Sequence, residues 1–373
     1  MRVLIVTEAI GKNFYGVEQV IVDLVKRLIL FGFQFRILVS NIGDVSEITA
    51  DVERIPSDAV ENRFRWHPGM RDFFIQEIAE FHPDIVHVHG VFTFVQRTAV
   101  EVARAMNIPT LWSTHGGLEA WVWRQNSLFH RLGRRLYWRF VLSPSYKKVN
   151  AVHVITDLES RTLAGYFPNL PQVEIPNGID LSIIPYIPAQ LPEKKFVFLG
   201  RLHPVKGVDL LLKAFSRICL DDWQLIIAGP ESDPEYTRQL RQCAITLGQR
   251  VQFVGPIYGQ EKFLLLQKAW AVVVPSLSEV IALVNLEASA VFTPTITTFA
   301  TGLSDWARGG GVLVDANEAQ LGGALSEVAA WSLNERLKRG EAARQFVKER
   351  YNWDVIVQKW LQTYQEIGDP KSR

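Results

Sequence analysis

Cysteine is nearly absent from the chain of 373 residues, with only Cys219 and Cys243, and both fall in stretches of helical character. Two thiols cannot build a disulfide framework or a four-thiolate metal site, so a reducing compartment is expected. No apolar run approaches the roughly 20 residues that span a bilayer. The opening Met1-Arg-Val-Leu-Ile-Val-Thr7 lacks the long apolar core of a secretory signal and reads as a first buried strand. A cytoplasmic protein is expected. Charge of one sign is also missing: 40 Lys+Arg against 39 Asp+Glu leave a net charge of +1, which gives no global attraction to nucleic acid. Neither G-x-G-x-x-G nor a Walker loop occurs, which disfavours dinucleotide oxidoreductases and P-loop enzymes. There is no short-period repeat and no low-complexity segment.

What is present suits two cores. With 48% hydrophobic and 21% charged residues the chain can build two domains of ordinary size. Short apolar runs alternate with amphipathic stretches, the pattern of parallel sheets covered on both faces. The expected strands are Arg2–Thr7, Gln34–Ser40, Asp84–His89, Thr110–Thr114, Ala151–Ile155 and Val173–Ile175. The series then restarts with Phe196–Leu199, Gln224–Ala228, Val251–Phe253, Ala271–Val274, Thr295–Thr298 and Gly311–Val314. Between the halves, Asp180 to Lys194 carries Pro185, Pro188 and Pro192 without helical period and reads as the linker. The fold class is α/β, with two doubly wound Rossmann-like domains, 1–182 and 183–350, facing a central cleft and binding ligand at strand carboxyl ends. A last amphipathic helix lies within 351–373.

Two segments of the second half carry chemistry. Phe196-Val-Phe-Leu-Gly200-Arg201-Leu-His-Pro-Val-Lys206-Gly207-Val-Asp209 runs from a buried strand through a Gly-bounded loop into a helix. A helix N-terminus offers unpaired N–H groups, and Arg201 and Lys206 add cationic donors for a diphosphate. The plain alternative is ordinary loop cations. After the strand Ala271-Val-Val-Val, Glu279 and Glu287 stand eight residues apart, a little over two helical turns. If Glu279 enters the helix and Glu287 lies on it, both carboxylates can face one cleft, and a carboxylate there can accept two hydroxyl hydrogen bonds from a sugar or ribose diol. Surface helices also carry such pairs by chance.

These segments, with Ile226-Ile-Ala-Gly229-Pro230, Val251-Gln-Phe-Val-Gly255, Pro275-Ser276, Pro176-Asn177-Gly178-Ile-Asp180 and Trp353 before the last helix, make the chain resemble the family 4 retaining glycosyltransferases of the GT-B fold, of the bacterial polysaccharide and lipid-linked glycan type. The resemblance covers nearly the whole length. It implies transfer of a hexose from a UDP-sugar without a metal or cofactor, the nucleotide sugar being the donor substrate, onto a polysaccharide, exopolysaccharide or lipid-linked acceptor. It further implies catalytic roles for His115, Arg201, Lys206 and Glu279. Donor contacts would come from Gly16, Gly200, Gly255, Pro256, Ile257, Val280, Ile281, Ala282, Leu283 and Glu287. Glu279 would hold donor-sugar hydroxyls, Glu287 the ribose diol, and the backbone of 255–257 the base. The final helix would cross back onto the N-terminal domain.

The first half adds three features. Family members usually carry a Gly-Gly pair after the first strand; this chain has Tyr15-Gly16, and a plain turn with Gly16 at positive φ accounts for it equally well. His87 and His89 alternate onto one strand face. A His-x-His pair can hold zinc, but no third ligand is evident, so core histidines satisfied by backbone groups are preferred and no metal is expected. His115, in Thr114-His-Gly-Gly117, matches the family histidine that faces the donor sugar. Finally, residues 121–148 hold Arg124, Arg131, Arg134, Arg135, Arg139, Lys147 and Lys148 without one Asp or Glu, although residues 1–185 balance 19 basic against 19 acidic side chains. Leu128, Leu132, Leu136 and Phe140 recur among them at helical spacing. Arg124, Arg131, Arg134, Arg135, Trp138 and Arg139 are therefore candidates for peripheral contact with an anionic membrane or a lipid-diphosphate acceptor. A leucine stripe buried in the core under solvated arginines is the competing reading.

Two departures weigh against a standard donor pocket. The family usually has small or Gly residues after the first glutamate, where Val280-Ile281-Ala282 stand, and Gly where Phe292 stands. A Cβ in left-handed geometry costs about 1–2 kcal/mol per residue. A catalytically impaired sugar-nucleotide-binding paralogue acting as an assembly partner is the alternative function, and a GT-B-fold epimerase a third. Joint presence of His115, Arg201, Lys206, Glu279 and Glu287 favours the enzyme.

Overall fold

A computed structural model of the chain describes residues 1–10, 16–45, 48, 50–55, 66–124, 128–182, 184 and 191–369, the side chains of Arg124 and Leu128 excepted. Residues 183 and 185–190 of the proline-rich stretch, and the loop residues 11–15, lie outside these. The described chain forms two compact units, Met1–Pro176 with Ile356–Arg373, and Asn177–Val355. The division therefore falls ahead of the expected 182/183. The reason is backbone pairing: Ile179 bridges Asn352, its N–H donating to Tyr351 O at 2.7 Å, and Trp353 N–H returns to Ile179 O at 3.2 Å. Those bonds tie 177–182 to the second unit.

In the first unit β1 (Arg2–Ile10), α1 (Val17–Ile29), β2 (Gln34–Ile42), β3 (Asp51–Arg54), α2 (Met70–Phe81), β4 (Ile85–His89), α3 (Phe94–Ala105) and β5 (Thr110–Ser113) follow in order. They are succeeded by α4 (Ala120–Arg124), α5 (Leu128–Tyr137), a wide turn Trp138–Leu142, α6 (Ser143–Tyr146), β6 (Ala151–Val154), α7 (Asp157–Tyr166) and β7 (Gln172–Glu174). The sheet is wholly parallel in the order β3-β2-β1-β4-β5-β6-β7. Strand β3 was not expected from the sequence. It is an edge strand with three of its four side chains exposed, so it carries no apolar run. Helix α1 buries Ile21, Val22, Leu24, Val25 and Leu28 at helical spacing, and α3 opens on a capping box formed by Thr93 and Gln96.

The second unit contains β8 (Glu193–Leu199), α8 (Val208–Ser216), β9 (Gln224–Ala228), α9 (Pro234–Ala244), β10 (Val251–Gly255), α10 (Gly259–Lys268), β11 (Ala269–Val274), α11 (Leu283–Ala290), β12 (Thr295–Thr298), β13 (Val312–Val314), α12 (Glu318–Ala329), α13 (Leu333–Arg350) and α14 (Trp353–Gly368). From Ile356 onward α14 belongs to the first unit. The second sheet is again parallel, in the order β10-β9-β8-β11-β12-β13. Both sheets are doubly wound, with the strand order reversing between β1 and β4 and between β8 and β11. Crevices at those reversal points are where such sheets bind ligands. The central strands β4 and β11 are buried along their whole length, β11 as a continuous apolar run and β4 with His87 and His89 among its apolar residues.

Candidate active site

In the second unit the reversal point is built by the loop after β8 and the loop after β11. Gly207 caps α8 in left-handed geometry at φ 67°, and a Cβ there would lie 2.2 Å from Pro275 O, so only glycine lets the two loops approach. Leu277 N–H donates to Val205 O at 2.8 Å and locks them together. The Lys206 ammonium pairs with Glu279 Oε2 at 2.8 Å, and Ser276 Oγ donates to the other oxygen of the same carboxylate. On α11, Glu287 pairs with Lys262 of α10 at 2.8 Å. Arg201 is exposed. Gly200 follows β8 directly, while Gly255 closes β10 at φ 76° and leads into Pro256 and Ile257. The unit thus sets one lysine-paired carboxylate and an exposed guanidinium on the loops after β8 and β11, and a second lysine-paired carboxylate on α11.

Helix α11 begins only at Leu283, so Glu287 lies on the helix while Glu279 stands four residues ahead of it, and helical spacing does not set their relative placement. Glu279 is in the loop, its N–H donating to Ala300 O at 2.8 Å. Nor do Val280, Ile281 and Ala282 pay a left-handed penalty. None has positive φ, and Ile281 and Ala282 are buried; side chains at this loop have selected a different backbone. Phe292 does keep the left-handed geometry, at φ 62°. It is held there because its carbonyl accepts from Arg336 Nη1 at 3.0 Å and packs where Gly340 has no Cβ. Glycine at 292 is expected to be more stable than alanine by about 1 kcal/mol, the reverse of the order inside a helix. Denaturant unfolding of Phe292→Gly and Phe292→Ala measures the difference, and equal midpoints would remove strain from the account.

In the first unit a cavity of about 800 Å³ opens beside the β1/β4 reversal point, its lining including Glu8, Glu18, His89, Phe92, His115 and Arg134. Gly16 stands at the head of α1 with φ 101°, as a strand-to-helix turn requires. Burial pushes the Glu18 carboxyl up, and the Glu8 charge adds to it. His115 itself has φ 49°, a strained backbone for a residue with a Cβ.

Of the pair expected to be satisfied by backbone groups, His87 is held by side chains at both ring nitrogens, and His89 Nε2 is buried without a hydrogen-bond partner among the described residues. His153 Nε2 lies 2.8 Å from Ile175 O, and a carbonyl only accepts, so Nε2 carries the proton and Nδ1 is bare. Ser113 Oγ must then donate to His153 Nδ1 at 2.8 Å and accept from His87 Nε2 at 2.7 Å. The bare Nδ1 of His87 accepts from the Tyr364 hydroxyl at 2.7 Å. One carbonyl therefore fixes the direction of the whole chain. Alongside it, His89 Nδ1 and His115 Nε2 lie 2.8 Å apart. Burial depresses all four histidines, His115 to about 3 and His153 to about 4.

Glu159 was missed by sequence reasoning. Its buried carboxylate accepts from Gly116 N–H at 2.7 Å, from Ile155 N–H at 2.8 Å and from the Thr114 hydroxyl, bracing the turn that carries His115. Burial raises its pKa, and the three donors oppose that. Nothing local signals it, since its partners come from two separate loops. Glu159→Gln leaves one donor facing an amide NH2, so a loss of about 1–3 kcal/mol is expected on unfolding. An unchanged midpoint would show that the brace is not needed.

The basic segment also differs from expectation. Trp138 is 6% exposed and packs among Trp112, Trp123, Tyr146 and Phe167, so it is core and not a membrane or acceptor contact. The wide turn at Trp138–Leu142 carries it inward. Conversely Leu132 and Leu136 are exposed, against the buried-stripe reading. Arg134 donates to Val122 O and lies over the Phe92 ring at 5.6 Å, on the cavity side, whereas Arg135 and Arg139 are exposed and Arg131 half-buried.

Comparison with known proteins places both halves. The family described as "Glycosyltransferase Family 4" matches residues 14–183, and "Glycosyl transferases group 1" matches 185–353. A D-inositol 3-phosphate glycosyltransferase from Acidothermus cellulolyticus is 31% identical over 183 residues, which is 46% of this chain and 40% of that protein. The chain spans only about two fifths of the length of the first curated relatives it matches. An uncharacterized glycosyltransferase of Methanocaldococcus jannaschii is 25% identical over 75% of each chain. Among solved structures, sucrose-phosphate synthase from Thermosynechococcus elongatus superposes with TM-score 0.77 at 20% identity, covering 98% of both chains. HepE from Anabaena, in complex with UDP and glucose, gives 0.73 at 17% identity, covering 98% of this chain and all of the other.

Proposed function

Because the chain belongs to the family 4 glycosyltransferases of the GT-B fold, we propose that it moves a hexose from a UDP-sugar, with retention and without a metal, onto a polysaccharide or lipid-linked glycan. The observation that carries this reading is the β8/β11 reversal point. There Lys206, Glu279 and Ser276 meet over the glycine-capped N-terminus of α8, with Arg201 exposed on the same loop. A diphosphate needs positive charge, and Lys206, Arg201 and the positive end of α8 supply it, while the N–H groups of Lys206, Gly207 and Asp209 already donate to His203 O, Pro204 O and the Tyr236 hydroxyl. HepE, with UDP and glucose bound, has the same fold and supports the choice of uridine.

The reaction breaks the bond between the anomeric carbon and the phosphate oxygen. Its electrons leave on the diphosphate, where Arg201, Lys206 and the helix end take up the charge. The acceptor hydroxyl forms the new bond on the face the diphosphate leaves and passes its proton to the departing oxygen. Glu279, fixed by Lys206 and Ser276, holds donor hydroxyls. Glu287, fixed by Lys262, accepts from the ribose diol, and the backbone of Gly255, Pro256 and Ile257 meets the base. His115 is neutral at pH 7 on account of its burial, so it acts as a hydrogen-bonding group and not as a cation. The first-unit cavity receives the acceptor.

The test is nucleotide release from UDP-, GDP- and ADP-sugars without added metal. One donor should release nucleotide, and Glu287→Ala should raise its KM on the order of tenfold with a smaller change in kcat, as loss of a ground-state contact does. Binding without release, with acceptors supplied, would favour the assembly-partner reading, and binding of no nucleotide at all would overturn the transferase.

A further inference from the structure

Helix α5 presents an apolar stripe to solvent. Phe129 is 88% exposed, Leu132 57%, Leu136 48% and, just beyond the helix, Phe140 69%. They recur at intervals of three, four and four residues, which is one side of a helix. Such stripes ordinarily turn inward, but here the inward positions are taken by Trp138 and Leu142. Interleaved with the stripe are Arg131, Arg135 and Arg139, and residues 120–148 contain no carboxylate. The adjoining side of the same helix, through His130, Gly133, Arg134 and Tyr137, walls the first-unit cavity, and Phe129 stands on both the stripe and the cavity lining.

We propose that α5 is an interfacial helix that docks on an anionic bilayer, with its leucines and phenylalanines among the acyl chains and its arginines at the lipid phosphates. Charge selects this occupant. A second copy of the chain would set one arginine row against another, and nucleic acid would leave the flush apolar side chains in water. The continuity of the stripe with the cavity through Phe129 then leads from the membrane surface into the pocket. The docking itself does not depend on the transferase reading.

The experiment is sedimentation of the full chain with phosphatidylcholine vesicles, with and without phosphatidylglycerol. Wild type should pellet with the anionic vesicles and stay in solution with the neutral ones. Arg135→Ala and Arg139→Ala should each weaken binding roughly fivefold, and Leu132→Ser and Leu136→Ser on the order of tenfold each. Both leucines are exposed, so the variants keep their fold, which a melting curve verifies. Equal pelleting of variants and wild type overturns the proposal. So does a concentration-dependent dimer that Leu136→Ser dissolves, which would assign the face to a second copy. Nucleotide release without vesicles, measured in parallel, reports separately on the transferase reading.

Discussion

Acidification from about pH 7 to about pH 5.5 is expected to remove roughly 4 kcal/mol of stability from the first unit and little from the second. The cause is the set His87, His89, His115 and His153, all held neutral by burial and all in the first unit. In the unfolded chain each titrates near its usual value of about 6.5, so below that pH the unfolded state binds protons that the folded state refuses. Stability therefore rises with pH across this window. Each group contributes its full share well above about 6.5, and the share is lost progressively as pH falls toward the folded values, about 3 for His115 and about 4 for His153. Between about pH 7 and about pH 5.5 a histidine held neutral in the folded state loses about 1.3 kcal/mol, which gives about 5 for four before offsets. Glu18, Glu77, Glu119 and Glu159 work in the opposite direction, because their raised values make the folded state bind protons as pH nears the carboxylate range. Against a typical total of about 5–15 kcal/mol the net loss is large. Calorimetry should show a first-unit transition falling by roughly 8–16 °C while the second moves little. His203 is the one histidine in the second unit. A first-unit transition that ignored pH would refute the burial argument.

Replacing Arg201 with alanine is expected to lower kcat a few hundredfold, about 3–4 kcal/mol of transition-state stabilisation, with no change in melting temperature. Its exposure makes the experiment clean, since Arg201 anchors no packing whose loss could imitate a catalytic defect. Lys206 is the useful contrast. Removing it also strands the Glu279 carboxylate, so Lys206→Ala should lose both rate and some stability. Steady-state kinetics with the donor found by nucleotide release, paired with melting curves, separates the two. An Arg201→Ala enzyme with unchanged kcat would remove this guanidinium from the diphosphate site.

The sequence made the central strands legible because β11, buried on both sides, is apolar throughout, β4 is apolar but for His87 and His89, and β9 and β12 begin and end where expected. Gly207 was legible for a similar reason: a strand, a loop and a helix must meet there, and a close backbone approach excludes a side chain. Strand β3 was not, because an edge needs polar residues that look like a loop. The carboxylate pair misled since periodicity says which residues would share a helix face but not where the helix begins. Trp138 misled for a related reason, because a wide turn shifts the phase of the pattern and swings an apparent surface aromatic into the core. Glu159 was invisible because its meaning lies in hydrogen bonds to residues distant in sequence.

The hydroxyl that begins the histidine chain belongs to Tyr364. Trp360 beside it lies 5.4 Å from the His87 ring and 4.6 Å from that of His153. The first unit is thus closed by residues translated only after the entire second unit has emerged. Until then His87 Nδ1 is bare and that side of the first sheet is uncovered, so during synthesis the second unit can complete its fold before the first one does. Deleting α14 from Ile356 onward is, by the same geometry, a lesion at the heart of the first unit and not the trimming of a tail.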